Sequence, residues 1–194
     1  MQAKVLIQRS AALLNAGKYS RLSGAEKAVV QWAQLDDHQA VLTLSPDSDR
    51  LFQYFQQRYR HIRICAMVND PMLARIARQS NAEAEILYAS LFDFPWQSSA
   101  FDLVVVPHCL LDSRDALKTL DEAKRVMKAG AQLMISLPAG PFRFPGFDVQ
   151  ETRAPTRFVS RRCLLKVLER LGFADVSWRY AGLVYGVAIA YKRD

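Results

Sequence analysis

Residues 101–106 read FDLVVV, which is the strongest β-strand signal in the sequence. Three β-branched residues follow one another without polar residues between them, a pattern typical of a strand buried on both faces of a parallel sheet. Shorter apolar runs of the same kind occupy residues 40–44, 62–67, 85–88 and 132–137. Segments with helical periodicity separate these runs. The sequence therefore predicts an α/β fold in which helices cover both faces of a mostly parallel sheet.

Two further strands are predicted near the end of the chain, at residues 175–180 and 183–191. Only Ala181 and Gly182 separate them, so they must run antiparallel to each other. A mostly parallel sheet that ends in an antiparallel hairpin is a narrow structural class.

The predicted helices are marked by apolar spacing and by glycines at their ends. One helix is indicated by apolar residues at helical spacing, namely Met72, Leu73, Ile76 and Ala77. A glycine after the last apolar residue commonly caps a helix, so Gly130 and Gly172 are each predicted to end one.

The composition is that of one globular domain spanning residues 1–194, with 51% hydrophobic and 23% charged residues. We expect an N-terminal helical segment at residues 1–37 and the core at residues 38–192. No apolar run approaches the roughly 20 residues that a membrane-spanning helix needs, so no membrane association is expected. A secretory signal would also need a longer apolar region than residues 1–18 offer.

The three cysteines, Cys65, Cys109 and Cys163, lie far apart and do not form a disulfide framework. Each has apolar neighbours in the sequence, which predicts buried thiols in a reducing, cytoplasmic environment. No pair of cysteines or histidines has the spacing of metal ligands, so no metal is expected.

The formal net charge is +7, and the excess is concentrated in residues 140–194, which hold 10 basic and 5 acidic residues. This bias is compatible with a solvated surface or with attraction of an acidic partner, RNA or an anionic substrate. Neither an Arg-Gly run nor a basic stripe interleaved with aromatic residues is present, so nucleic acid is not the expected partner.

Several motifs flank the FDLVVV strand. They are DFPW at residues 93–96, AFDLV at 100–104, HCL at 108–110, RVMKAGA at 125–131 and LGF at 171–173. In this order they resemble the core motifs of small-molecule class I methyltransferases, which depend on S-adenosylmethionine (SAM). The resemblance implies a Rossmann-like sheet of seven strands in the order 3-2-1-4-5-7-6. It also implies SAM as the cofactor and a small molecule as the substrate of an active member.

The family holds SAM at three places, of which the first is a glycine-rich turn after strand 1. The corresponding residues 44–49 read LSPDSD and contain no glycine. Ser45 and Asp47 are therefore the candidate cofactor contacts, although a proline and two carboxylates would stand where the amino-acid end of SAM should lie. The same residues also suit a helix start, with Ser45 as N-cap and Pro46 at the first helical position.

The second place is a carboxylate after strand 2 that accepts the ribose hydroxyls. One alignment puts Met67 there, whereas a small slip of the alignment puts Asn69 or Asp70 there. Asp70 before Pro71 equally suits an N-cap followed by a first helical position.

The third place is a polar side chain after strand 3 that holds the adenine amine. Ser90 occupies the usual Asp position and has Leu91 beside it, so both are candidate contacts. A turn residue is the alternative interpretation of Ser90.

His108 follows the FDLVVV strand, would face the mouth of the pocket, and is the candidate general base and cofactor neighbour. The family also keeps a histidine there for structural reasons. Asp112 and Tyr19 are weaker candidates for catalysis. Cys109 is predicted to be a buried thiol rather than a nucleophile.

Three functional hypotheses follow. The first is a methyltransferase-like protein with a degraded SAM site, weak or non-catalytic, that serves as a scaffold or partner subunit with a protein partner or as a homo-oligomer. The second is an active, divergent SAM-dependent methyltransferase. The third is an anion-binding or nucleic-acid-binding module that uses the basic C-terminal segment, with Arg143, Arg153, Arg157, Arg161 and Arg162.

Overall fold

The computed structural model describes residues 22–44, 49–107, 116–138, 161–181 and 185–193. The strands in these ranges are β1 Ala40–Thr43, β2 Arg63–Val68, β3 Glu85–Tyr88, β4 Phe101–Pro107, β5 Met127–Pro138, β6 Phe173–Ala181 and β7 Tyr185–Lys192. The helices are α1 Gly24–Trp32, α2 Asp49–Arg58, α3 Pro71–Ser80, α4 Ala116–Val126 and α5 Arg161–Arg170. Of the predicted N-terminal helical segment, residues 1–21 lie outside the described part of the chain.

All seven strands form one sheet in the order β3-β2-β1-β4-β5-β7-β6. The strands from β3 to β5 pair in parallel, whereas β7 pairs antiparallel with both β5 and β6. The predicted fold class, strand order and C-terminal hairpin are therefore confirmed.

The core has two halves, one on each face of the sheet. Helices α1, α2 and α3 pack on one face, and α4 and α5 pack on the other. The central strand β4 serves both halves, because Leu103 and Val105 belong to the first while Val104 and Val106 belong to the second. This division explains why its apolar run shows no alternation with polar residues.

Local signals account for most element boundaries. At the start of α1, Ser23 and Glu26 form a reciprocal capping box. At the end of α5, Gly172 takes a positive φ of 77° and donates its backbone N–H to the carbonyl of Glu169, as predicted for a C-terminal cap.

The predicted role of Gly130 is wrong. Helix α4 ends at Val126, and the chain enters β5 at once because Met127 already pairs with Phe101 of β4. Gly130, with a φ of 72°, lies in the irregular stretch of β5 before the pairing resumes at Gln132 opposite Leu103. A glycine with positive φ therefore serves a bulge here rather than a helix end.

Candidate functional site

An open cleft lies where β2 and β3 end side by side, at the carboxyl edge of the parallel strands. It has a volume of about 290 Å³ and is lined by Asn69, Tyr88, Ala89, Ser90, Leu91 and Phe92. Ligands of open α/β sheets bind outside the carboxyl ends of the strands, so this position is the expected one for a ligand site. Three of the predicted cofactor residues, at positions 69, 90 and 91, line the cleft.

Asn69 and Asp70 follow β2 but have different roles. Asn69 is exposed and contributes to the cleft wall. Asp70 is the N-cap of α3, because its Oδ1 accepts hydrogen bonds from the backbone N–H groups of Met72 at 2.8 Å and Leu73 at 2.9 Å. Pro71 takes the first helical position. Of the two interpretations of Asp70, the geometry matches the cap.

Met67 occupies the other position proposed for a ribose-holding acid. Its side chain is fully buried in the half of the core that contains Leu91, Phe94 and Trp96. A methionine buried in this way contributes packing and has no group with which to accept a ribose hydroxyl.

Ser90 is folded back onto its own loop. Its Oγ accepts a hydrogen bond of 3.2 Å from the backbone N–H of Phe92, and its carbonyl accepts one of 3.3 Å from Asp93. The N–H of Ala89 donates to the carbonyl of Val68 at 3.1 Å, which ties this loop to the end of β2. Leu91 is buried and faces the core. The Oγ of Ser90, which was predicted to hold the adenine amine, therefore already accepts a hydrogen bond from Phe92.

Two exposed aromatic residues, Tyr88 and Phe92, flank the cleft. Lys118 of α4 places its Nζ 5.6 Å from the centre of the Phe92 ring. Aromatic faces of this kind can pack against a planar ligand. Sequence reasoning missed both residues. Their position after a predicted strand, on either side of Ser90, could have indicated that they flank a ligand site.

The turn that follows the cleft is anchored to α4. Arg125 donates hydrogen bonds of 2.9 Å to the carbonyls of Phe94 and Trp96, and Glu122 accepts one of 2.9 Å from the N–H of Phe94. Arg125 and Glu122 are paired at 2.7 Å. The hydrogen bond from Arg125 lowers the pKa of the Glu122 carboxyl, and the same bond raises the pKa of Arg125. The motifs DFPW and RVMKAGA thus meet here for a structural reason.

One polar residue of the motifs, Asp102, lies near the start of β4, at the other end of the parallel strands from the cleft. Asp102 accepts hydrogen bonds from the N–H of Ala40 at 2.9 Å and from Nζ of Lys128 at 2.7 Å, so it joins the starts of two strands to β5. Asp102 does not line the cleft, and its hydrogen bonds hold strands together, so its role is structural.

The thiols in the described ranges differ. Cys65 is buried as predicted, and burial raises its pKa to about 12, so it is protonated at neutral pH. Cys163, predicted to be buried, is exposed. The prediction fails because α5 buries Leu164 and Leu168, and the adjacent position 163 points away from them.

Five predicted residues lie outside the described part of the chain: Ser45, Asp47, His108, Cys109 and Asp112. The weaker catalytic candidate Tyr19 also lies outside it. Of the arginines in the basic C-terminal segment, Arg161 and Arg162 are described and are exposed on α5. Within the described ranges, no group of three or more potential metal ligands is found, and no helix is long and apolar enough to cross a membrane.

The family profile described as "Methyltransferase domain" matches residues 44–135, which include the cleft and the anchored turn. Over these residues the chain is similar to that family, and its fold is the Rossmann-like fold of class I SAM-dependent methyltransferases. No curated protein sequence matches it.

Solved structures share the superfamily fold over nearly the whole chain. A SAM-dependent methyltransferase from Aquifex aeolicus has a TM-score of 0.73 and 17% identity, covering 95% of this chain and 97% of that one. The complex of the Haloferax volcanii Trm112 methyltransferase activator with a methyltransferase has a TM-score of 0.75 and 12% identity, covering 98% and 96%. The [4+2]-cyclase SpnF has a TM-score of 0.69 and 16% identity, covering 99% and 94%.

The similarity to methyltransferases suggests SAM as the cofactor, and the described residues fit only part of it. Tyr88 and Phe92 offer aromatic faces against which an adenine could pack. However, none of the six residues that line the cleft carries a carboxylate, and the Asp70 carboxylate next to it caps α3. The acceptor expected for the ribose hydroxyls is therefore missing from this set.

Proposed function

We propose that this chain is a methyltransferase-like protein that binds SAM weakly or not at all and serves as a scaffold or partner subunit. One observation carries the proposal. The carboxylate after β2 is bound to the backbone of α3 at 2.8 and 2.9 Å, and the residue that faces the cleft beside it is the neutral Asn69.

The expected loss of affinity for SAM can be estimated from the missing carboxylate. A hydrogen bond to a charged group contributes roughly 1.5–3 kcal/mol. Loss of the two bonds that a carboxylate makes to a ribose diol therefore costs about 3–6 kcal/mol, which weakens binding about a hundredfold to ten-thousandfold. A site with low-micromolar affinity would become millimolar or weaker.

The neutral groups of the cleft compensate only in part. Asn69 has one amide oxygen that can accept a hydrogen bond. Ser90 already accepts one from the N–H of Phe92. Binding of an adenosine moiety would then depend mainly on packing against Tyr88 and Phe92.

The partner role has separate support. The Haloferax volcanii structure is that of a methyltransferase in complex with an activator protein, and its fold covers 98% of this chain. At 12% identity the likeness extends to the fold alone, and it supports the view that this fold can be part of a complex.

An active SAM-dependent methyltransferase acting on a small molecule is the second candidate. The observation that favours it is the cleft itself, which lies at the carboxyl edge of the sheet and is flanked by two exposed aromatic rings. This candidate requires cofactor contacts from residues 45–48 or 108–115.

Isothermal titration calorimetry of the full chain with SAM, and separately with S-adenosylhomocysteine, distinguishes the two candidates. We expect no saturation below about millimolar ligand. A saturable isotherm with a dissociation constant in the low micromolar range contradicts the proposal and favours the active enzyme.

A further inference from the structure

Helix α3 packs on the sheet with its small residues and turns its large apolar residues outward. Ala74 and Ala77 are 1% and 4% exposed and belong to the core. Met72, Leu73 and Ile76 are 61%, 41% and 52% exposed. This arrangement reverses the usual amphipathic pattern, in which large apolar side chains cover the core.

The three exposed residues form one surface, which we call the α3 patch and define as Met72, Leu73 and Ile76. Positions separated by three or four residues are neighbours on a helix, so these side chains adjoin. Isolated exposed apolar residues are common on protein surfaces, whereas large contiguous apolar patches are typical of interaction sites.

The charged residues within α3 are all basic, and the nearest acid, Asp70, is engaged as the N-cap of the helix. Arg75 and Arg78 are exposed on the same helix, and α3 contains no acidic residue. A second copy of α3 would bring arginines against arginines. The chain's own N-terminal segment, residues 1–21, carries four basic residues and no acidic one. Charge complementarity therefore favours an occupant that supplies carboxylates.

The neighbouring edge strand indicates how such an occupant binds. Strand β3 is at the edge of the sheet, and Nε of Arg78 donates a hydrogen bond of 2.7 Å to the carbonyl of Ile86 in that strand. Because Arg78 covers this backbone acceptor, addition of a partner strand to β3 is hindered. The α3 patch instead offers side chains, which suit the apolar face of a helix.

We propose that the α3 patch is the docking surface for a protein partner that presents an amphipathic helix with apolar residues along one face and carboxylates along its flanks. The inference rests on the proposed role as a partner subunit. Helix α3 begins directly after Asp70 and Asn69, so a partner seated on it lies next to the cleft and stabilises the helix that bounds it.

Fluorescence anisotropy with a synthetic probe tests the surface. The probe is a labelled helical peptide with Leu along one face and Glu along its flanks, and the comparison peptide has Lys in place of Glu. We expect the full chain to bind the Glu peptide at least about tenfold more tightly than the Lys peptide. Hydrogen exchange should show protection on bound α3.

Two variants and one control locate the site. Met72→Gln with Ile76→Gln should weaken binding of the Glu peptide at least about tenfold. Arg75→Glu should weaken the Glu peptide and strengthen the Lys peptide, which a folding defect would not do. Leu117→Gln, an equivalent exchange at an exposed position on α4, should leave binding unchanged. Thermal melts check that each variant is folded.

Several outcomes overturn the proposal. They are equal binding of the two peptides, no binding of either, or protection elsewhere than α3. A homodimer that Met72→Gln abolishes would identify a second copy as the occupant. Binding to vesicles of anionic phospholipid that depends on Met72 would identify a membrane surface. None of these results depends on SAM. Tight SAM binding together with a functional α3 patch would overturn the proposed function alone.

Discussion

At the scale of single residues, the site depends on which side chains after β2 and β3 are available to a ligand. The sequence places a carboxylate before a proline, and a carboxylate at that point suits both an N-cap and a ribose contact. The structure distinguishes the two roles, because Oδ1 of Asp70 accepts hydrogen bonds from two backbone N–H groups of α3, as an N-cap does. Ser90 is a similar case, since its turn role depends on the N–H of Phe92 two residues later.

Substitution of Asp70 tests the cap directly. Asp70→Ala should lower the free energy of unfolding by about 1 kcal/mol, whereas Asp70→Ser, which keeps a capping oxygen, should lower it much less. Chemical denaturation of both variants measures the difference. If Asp70 were instead a ligand for the ribose, both variants would lose SAM binding and their stabilities would be similar.

Restoring carboxylates in the cleft should restore affinity for the cofactor. The double variant Asn69→Asp with Ser90→Asp should bind SAM at least about a hundredfold more tightly than the natural chain, because it supplies charged acceptors. Calorimetry measures the change. Gln79→Glu adds a single carboxylate at an exposed position of α3 and should have no effect. Unchanged binding in the double variant would show that these positions do not face SAM.

At the scale of elements, helix periodicity correctly predicted α3 but did not predict its orientation. The apolar spacing of Met72, Leu73 and Ile76 suggests a face toward the core, yet Ala74 and Ala77 occupy that face. The space between α3 and the sheet admits small residues, and that constraint comes from β2 and β3 rather than from the helix. The bulge at Gly130 likewise depends on the pairing of β5 with β4.

The anchored turn beside the cleft should respond to pH through Glu122. Its pKa is lowered by the hydrogen bond from Arg125, so its contribution to stability is present above the pKa of an unfolded Glu, about 4.3, and is lost as the pH falls through the lower folded value. Glu122→Gln should therefore be less stable than the natural chain at pH 7. This difference should shrink below about pH 4.

Denaturation curves at several pH values check the expectation for Glu122. Glu169→Gln, the same exchange at an exposed position on α5, is the control for the effect of the substitution itself. A stability difference for Glu122→Gln that stays constant down to acid pH would assign its effect to packing rather than to the charge.

At the scale of the whole molecule, the sheet order and the division of the core follow from the strand run at residues 101–106 together with the flanking motifs. The run LVVV alternates between the two halves of the core, and this supports a central strand with helices on both faces. The function does not follow from the same signals, because one fold accommodates structures described as a methyltransferase and as a [4+2]-cyclase.

Ligand-induced stabilisation of the whole fold decides between a functional and a degraded cofactor site. If the site has about millimolar affinity, 1 mM SAM increases the free energy of unfolding by about 0.4 kcal/mol. This raises the melting temperature by roughly 1–2 °C in a chain of this size. If the site has about micromolar affinity, the free energy of unfolding increases by about 4 kcal/mol and the melting temperature by roughly 8–16 °C. We expect the small shift in a thermal melt, with adenosine as the control for non-specific effects. A large shift would mean that residues beyond the described cleft supply the missing contacts, because Asn69 and Ser90 alone do not.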